Sequence, residues 1–348
     1  MEISQLAYQA FSLFKEQQAK LHGVSVDFIT KGHMFTVSPK VERNWFKHLY
    51  ANDDLLSKIH TGTCKEMICE DIGLVTPTGI ISGRVNNADR KNPRQPRKIG
   101  STNGIQYQTA TTHFDTYIPY RSLNEWATEP EFQKLVNAFY FEQKNAEIRM
   151  IGWNGIKKAD VTDPATNELG QDVNIGWLQR VRDHKPEHAF KDKIGELTVT
   201  IGKTGTFKNL DDLVTKAIAV IPPAKRKNLV VFASDNMLLD RASALYAGAN
   251  NKDLADNAVS IARKEVGGRP AYAADFFPEN TIFITSFDNM AHITQTGSIR
   301  QRLEENSTFS CVDRFSETEE FYALGDYDKA VLIEGIVFVE EDANEGGA

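Results

Sequence analysis

Cysteine is scarce: Cys64, Cys69 and Cys311 are the only three in 348 residues. An odd count without ligand-spaced pairs suits neither a four-ligand zinc site nor a secreted disulfide framework. The expectation is three buried or idle thiols in a reducing cytoplasm. Long apolar runs are missing as well, and none approaches the ~18 residues of a membrane span. The first residues carry Glu2 and an amphipathic pattern, without the basic region or unbroken apolar core of a signal peptide. Nor is there a surplus of basic charge. A net charge of −7 argues against a general nucleic-acid coat that neutralises phosphates. What remains is ordinary: 41% apolar and 25% charged residues, in a chain long enough for two or three units.

Catalytic signatures are also lacking. Gly202-Lys203-Thr204 invites a phosphate-loop reading, but that motif needs a glycine five positions earlier, where Leu197 stands. No Gly-x-Gly-x-x-Gly run occurs. His184 and His188 are four apart, as two metal ligands on one helix face would be, yet Pro186 lies between them. The carboxylate pairs Asp160/Asp163 and Asp211/Asp212 fit helix starts and loops, where such residues cap free amides. No serine sits in a nucleophile elbow, and no cofactor is expected.

The features that are present suit association. Thr128 to Ile151 reads as one long helix. Thr128, Pro130 and Glu131 form its capping turn, Phe132, Leu135, Val136, Phe139, Ile148 and Ile151 its apolar stripe, and Gly152 its stop. At 1.5 Å per residue it is a rod of roughly 36 Å. Ser122 and Glu125 offer a second capping box just before it. Ser4 to Leu21 is a further amphipathic helix, with Leu6, Ala10, Leu13, Phe14 and Leu21 facing inward. It is either a removable or docking leader or a plain core helix. Residues 72–114 read as a long projecting hairpin. Its tip holds Arg84, Arg90, Lys91, Arg94, Arg97 and Lys98 against one acid, Asp89. No core shelters six cations, so the tip is solvated or touches something negative. Asp172 to Arg182 reads as a short helix with its entry turn. Asn209 onwards has an α/β texture, with helices expected at 209–221, 235–247 and 253–264 and strands at 228–233, 281–286, 309–312 and 330–339. Eight acids between Glu304 and Asp328, against Arg314 alone, would complement the basic tip of another copy.

The run Gly152-Trp153-Asn154-Gly155-Ile156-Lys157-Lys158-Ala159, with Asp172-Val173-Asn174-Ile175-Gly176-Trp177, resembles the signature of major capsid proteins of P-two-like temperate tailed phages. The likeness continues through Gly202-Lys203, Asn228-Leu229-Val230-Val231, Phe277-Pro278 and Leu303-Glu304-Glu305-Asn306, so it covers nearly the whole chain in order. The resemblance implies the α+β tailed-phage and herpesvirus capsid fold. Its parts would be a scaffold-like leader (1–35), an N-arm (36–71), an extended β-hairpin called the E-loop (72–121) and a peripheral domain with spine helix and β-hinge (122–208). An axial α/β domain (209–308) and return strands with an acidic tail (309–348) would complete it. It further implies hexamers and pentamers of an icosahedral shell around double-stranded DNA, and assembly in a bacterial cytoplasm. A scaffold and protease would cut between Phe35 and Thr36, and the shell would expand. Portal and decoration or size-determining proteins are the other implied partners, and no membrane is. A cytoplasmic α/β enzyme binding a phosphorylated ligand and a nanocompartment shell of the same fold are the alternatives.

Overall fold

In the computed structural model the described residues are 3–51, 53–71, 82, 84, 105–127, 132–194, 197–202, 204–247 and 264–339. The helices are α1 (Gln5–His22), α2 (Val26–Thr30), α3 (Pro39–Ala51), α4 (Tyr120–Trp126), α5 (Phe132–Asn154), α6 (Trp177–His184), α7 (Leu210–Val220) and α8 (Asp235–Ala247). The strands of the first half are β1 (Phe35–Thr36), β2 (His60–Cys64), β3 (Ile68–Asp71), β4 (Ile105–Gln108), β5 (Ala110–His113) and β6 (Thr116–Pro119). Those that follow α6 are β7 (Ala189–Lys191), β8 (Lys193–Ile194), β9 (Leu197–Thr198), β10 (Thr200–Ile201) and β11 (Val230–Ala233). The remainder are β12 (Glu265–Val266), β13 (Arg269–Ala273), β14 (Ile282–Thr285), β15 (Met290–Gln295), β16 (Arg300–Asn306), β17 (Cys311–Leu324), β18 (Val331–Glu334) and β19 (Val337–Phe338). The class is α+β.

Two sheets organise the molecule. The six-stranded one runs β12-β13-β11-β14-β18-β7. Its central strands read as continuous apolar runs because both faces are covered. Val231, Ala233, Ile282, Ile284, Val331 and Ile333 pack with Leu213, Val214 and Ala217 of α7 and Met237 and Leu238 of α8. Val230, Phe232, Phe283 and Leu332 face the other way, towards Trp153, Trp177 and Val181 of α5 and α6. The seven-stranded sheet runs β1-β16-β17-β15-β2, with β5 and β6 also on β17. β17 is its backbone. The fourteen residues of that strand pair with four neighbours, whereas the sequence suggested a strand only at 309–312.

Several local expectations need correction. α1 buries Ala7, Phe11, Phe14, Gln18, Ala19 and His22, while Leu6, Leu13 and Leu21 are about half exposed. Phe11 and Phe14, stacked at 6.3 Å, set the buried face, and two aromatic rings outweigh the leucines. α5 does not stop at Gly152; it continues to Asn154. Asn154 Nδ2 donates back to the Met150 carbonyl at 3.0 Å and across to Phe276 at 2.8 Å, which satisfies the helix end with a side chain. Within α5, Phe139 of the expected apolar stripe is 50% exposed, whereas Lys144 is 5% exposed. The capping turn at Thr128, Pro130 and Glu131 lies outside the described residues. α4 begins at Tyr120 after Pro119, so Ser122 is inside the helix and caps nothing. Finally, Cys64 and Cys69 form a disulfide, with Cα atoms 6.6 Å apart across the turn from β2 to β3, and only Cys311 is a free thiol. The tight turn brings together two cysteines that sequence spacing alone did not pair.

Candidate assembly site

The signature residues converge on one joint between the two sheets. Trp153, at the end of α5, lies edge-on to Phe277 at 5.0 Å and tilted over Phe232 at 5.5 Å, on the six-stranded sheet. Trp177, at the start of α6, meets Tyr322 of β17 edge-on at 5.3 Å, and its indole N–H donates to the Ala291 carbonyl at 2.9 Å. The two tryptophans contact each other at 5.0 Å, so one aromatic cluster spans both sheets. Three glycines make that approach feasible. A methyl group on Gly176 would sit 2.5 Å from the Gly152 and Ile151 carbonyls, and one on Gly155 would reach 2.6 Å from the Ile151 carbonyl. Backbone meets backbone there, with the Gly176 amide donating to Gly155 at 3.0 Å. Asp172 anchors the intervening loop by accepting from the Asp163 amide at 2.7 Å and Asn167 Nδ2 at 3.1 Å.

Between the rest of α5 and the seven-stranded sheet runs a polar seam that apolar periodicity did not reveal. On β17 the buried face is Arg314, Ser316, Thr318 and Glu320. Lys144 Nζ donates to Thr318 Oγ1 at 3.1 Å and lies over the Phe114 ring at 4.2 Å. Arg314 Nη1 donates to Asn137 Oδ1 at 3.3 Å and its guanidinium covers the Tyr140 ring at 3.6 Å. Deeper in, His292 sits 3.3 Å from Glu320 and 3.0 Å from the Tyr50 hydroxyl. The one sequence signal for this seam is period-two alternation of polar side chains, the reverse of the usual pattern.

α1 and α2 pack in a groove. Ala7, Phe11, Phe14, Ala19 and Ile29 share a core with Tyr120, Leu123, Val136, Leu303 and Val312. His22 contacts Phe35 at 5.0 Å and Trp45 at 5.8 Å. Burial, reinforced by the nearby Arg314 charge, lowers its pKa from 6.5 to about 4. Phe35 and Thr36 lie on β1, paired with Gln301 and Arg300, with Phe35 inward and Thr36 exposed.

At the base of the expected hairpin, β3 and β4 pair antiparallel, Ile68 opposite Gln108 and Asp71 opposite Ile105. Arg84 is exposed; Arg90, Lys91, Arg94, Arg97 and Lys98 lie outside the described residues, as do the acidic tail and residues 253–263 of the helix expected at 253–264. The acids between 304 and 328 are only partly a surface. Glu320 is fully buried, Glu317 pairs with Arg300 at 2.6 Å, and Lys225 holds Asp326 at 2.8 Å and Asp328 at 2.9 Å. Intramolecular cations from other elements take up this charge, which the sequence alone showed as uncompensated.

In the 202–205 turn two of the amides that a phosphate loop would use are bonded within the chain. The Gly202 amide donates to Phe207 at 3.0 Å and the Gly205 amide to Gly202 at 3.1 Å, so neither is free. Lys203 lies outside the described residues. The His188 ring engages the Ala330 carbonyl at 2.9 Å, and His184 packs on Tyr327 at 5.1 Å. Among the described residues no cluster of metal-ligating side chains occurs, and no helix is long and apolar enough to cross a membrane.

Comparison with known proteins accounts for this architecture. Residues 10–336 match the family described as phage major capsid protein, P2 family. The capsid protein of Escherichia phage P2 is 28% identical over 94% of this chain and 93% of its own. The major capsid protein of Serratia phage KSP20 is 28% identical over 96% and 97%. Among solved structures, a chain of the satellite phage P4 procapsid including size determination (Sid) protein superposes with a TM-score of 0.78 at 28% identity, covering 88% of this chain and 94% of that one. The capsid of an empty GTA particle shares the fold at a TM-score of 0.50 and 15% identity, covering 80% and 88%. The α+β arrangement of spine helix, hairpin base and two joined sheets is therefore the tailed-phage capsid fold, and the chain belongs to the P2 family of phage major capsid proteins.

Proposed function

We propose that copies of this chain join as hexamers and pentamers of an icosahedral head enclosing double-stranded DNA. Residues 1–35 act as an internal scaffold-like leader, which a phage-encoded protease releases by cutting between Phe35 and Thr36. The observation that carries this reading is the place of that bond. It lies on a two-residue strand at the edge of the seven-stranded sheet, directly after the leader that fills an apolar groove. An edge strand of that length has one neighbour and few hydrogen bonds to lose, so a protease can peel it into its own cleft as an extended segment.

The rest of the chain then divides into N-arm (36–71), E-loop (72–121), peripheral domain (122–208), axial domain (209–308) and peripheral return strands with acidic tail (309–348). Arg84, Arg90, Lys91, Arg94, Arg97 and Lys98 reach acids of a neighbouring capsomer. The net charge of −7 keeps packaged DNA from adhering to the wall. Scaffold, protease, portal and size-determining or decoration proteins are partners, with assembly in the host cytoplasm. Release of the leader and DNA packaging drive an expansion in which the domains move about the spine helix and the β-hinge. Co-expression with a scaffold and protease, followed by electron microscopy and N-terminal sequencing, tests this. Closed shells whose subunits begin at Thr36 are expected; shells built of uncut chains, or a new terminus elsewhere, would refute the cleavage.

A further inference from the structure

Tyr117, on β6 and 69% exposed, separates two recesses. The first, about 200 Å³, is lined by Ile118, Trp126, Phe139, Tyr140, Gln143 and Arg314. The second, about 520 Å³, is lined by Asp115, Phe309, Asp313 and Phe315. Arg314 is 6% exposed, and its Nε has no acceptor. Its hydrogen bond goes to the neutral Asn137, and among the described residues no carboxylate pairs with it. A guanidinium keeps its charge at any ordinary pH, and among the described residues this one is held by an amide oxygen and the face of the Tyr140 ring rather than by a carboxylate, an arrangement that a negative group would complete.

The complementary element lies on the same patch. Phe309, in the turn from β16 to β17, is 77% exposed, and of the three acids that flank it Glu304 pairs with Arg302, whereas Glu305 and Asp313 accept from neutral donors, Tyr120 and Asn306. Phe139, on the wall of the first recess, is 50% exposed. Tyr117 and Phe139 thus line the recess that holds Arg314, and Tyr117 and Phe309 the recess beside it, so three exposed aromatics lie along one patch. Isolated exposed aromatics are commonplace, but such a contiguous set marks a contact surface.

We propose that the Phe309 turn of a second copy of this chain enters the recess lined by Arg314. The ring meets aromatic walls, and the acids flanking it bring negative charge to the cation. Knob and recess share Tyr117, so every copy presents both, which is what repeated contacts between identical subunits require. The inference rests on the reading of the chain as a shell subunit.

Single cysteines at Phe309 and at Gln143, each in a Cys311→Ser background, test it. Both positions are exposed, and the folding of each variant is checked by circular dichroism. Oxidation of shells co-assembled from Phe309→Cys and Gln143→Cys should give a covalent dimer, absent when either variant is alone. Shells that form without the cross-link overturn the contact, and so does a mixture no different from the separate variants. If the unsubstituted chain itself forms no shells, the shell reading fails. The same cross-link between soluble copies then still decides the contact, a dimer supporting it and none overturning it. As a second measure, Phe309→Asp should weaken self-association at least tenfold in sedimentation velocity, and unchanged association would count against the proposal.

Discussion

The indole of Trp153 meets that of Trp177 edge-on, with ring centroids 5.0 Å apart, and Gly152 is the residue that leaves room for it. A Cβ at position 152 would stand 2.6 and 2.8 Å from two carbons of the Trp177 ring. Alanine favours a helix interior by up to about 1 kcal/mol, but overpacking against a buried ring costs about 1–3 kcal/mol. Gly152→Ala should therefore lose stability, by roughly 1–2 kcal/mol in urea unfolding. Trp153→Ala should lose about 3–5 kcal/mol. A Gly152→Ala protein as stable as the parent would contradict the close contact.

His22 couples the packing of α1 to pH. Its folded pKa of about 4 lies below the unfolded 6.5, so the proton binds preferentially to the undocked form. Docking is at full strength above about pH 6.5 and weakens as pH falls towards 4, by at most about 3 kcal/mol. Because His22 lies 5.8 Å from Trp45, the change should appear in tryptophan fluorescence. A titration that His22→Phe leaves unaltered would show that another group is responsible.

Lys225 tethers the chain between β17 and β18 to the residues following α7, through Asp326 and Asp328. Burial of Asp328 opposes ionisation, but hydrogen bonds from Lys185 and Lys225 outweigh it and lower its pKa to about 2. A depressed carboxylate stabilises the fold above its unfolded pKa, near 3.8, and that contribution fades as pH drops through 2. Lys225→Met should cost about 1–3 kcal/mol at pH 7, with the gap from the parent narrowing below pH 4. An unchanged gap at pH 2.5 would assign the loss to packing instead.

Proline at Asn137 removes an internal hydrogen bond of α5, a loss of about 3 kcal/mol or more, and takes the acceptor from Arg314. Shell formation should fail, judged by electron microscopy, while proline at Asn344 in the tail should leave it intact. Normal shells from Asn137→Pro would remove α5 from any essential role in assembly.

Much of the fold was legible wherever apolar periodicity matched burial. α7 and α8 were expected close to where they lie, as was the all-apolar strand Val230–Ala233, because each has its hydrophobic side against a sheet or core. α6 was found through its indole and the turn leading into it. Periodicity failed where the buried face is polar. On β17, Arg314, Ser316, Thr318 and Glu320 point inward while Phe315 is only half-buried, so the strand looked like a charged surface. The leader face was misread because every third or fourth residue offered two apolar stripes, and only contact with the groove selects the one holding Phe11 and Phe14. Gly152 was misread because a glycine near a helix end usually turns the chain, whereas here it admits a neighbouring ring. The signature itself was readable as a motif, but its role as a joint needed the pairing of Trp153 and Trp177 across a gap of some twenty residues.

The polar seam under α5 behaves like a key in a lock. Each of its contacts, Asn137 to Arg314 and Lys144 to Thr318, has a direction and a single matching register. Sliding the rod by one residue would strand a cation or a hydroxyl in a place water does not reach. The aromatic joint at the other end is keyed as well, by the Trp177 indole N–H on the Ala291 carbonyl, Asn154 Nδ2 on the Phe276 carbonyl and the Gly176 amide on the Gly155 carbonyl. α5 is therefore keyed along its length to the seven-stranded sheet and at its end to the chain between β13 and β14 of the six-stranded one, so any slide of the rod breaks directional bonds at both.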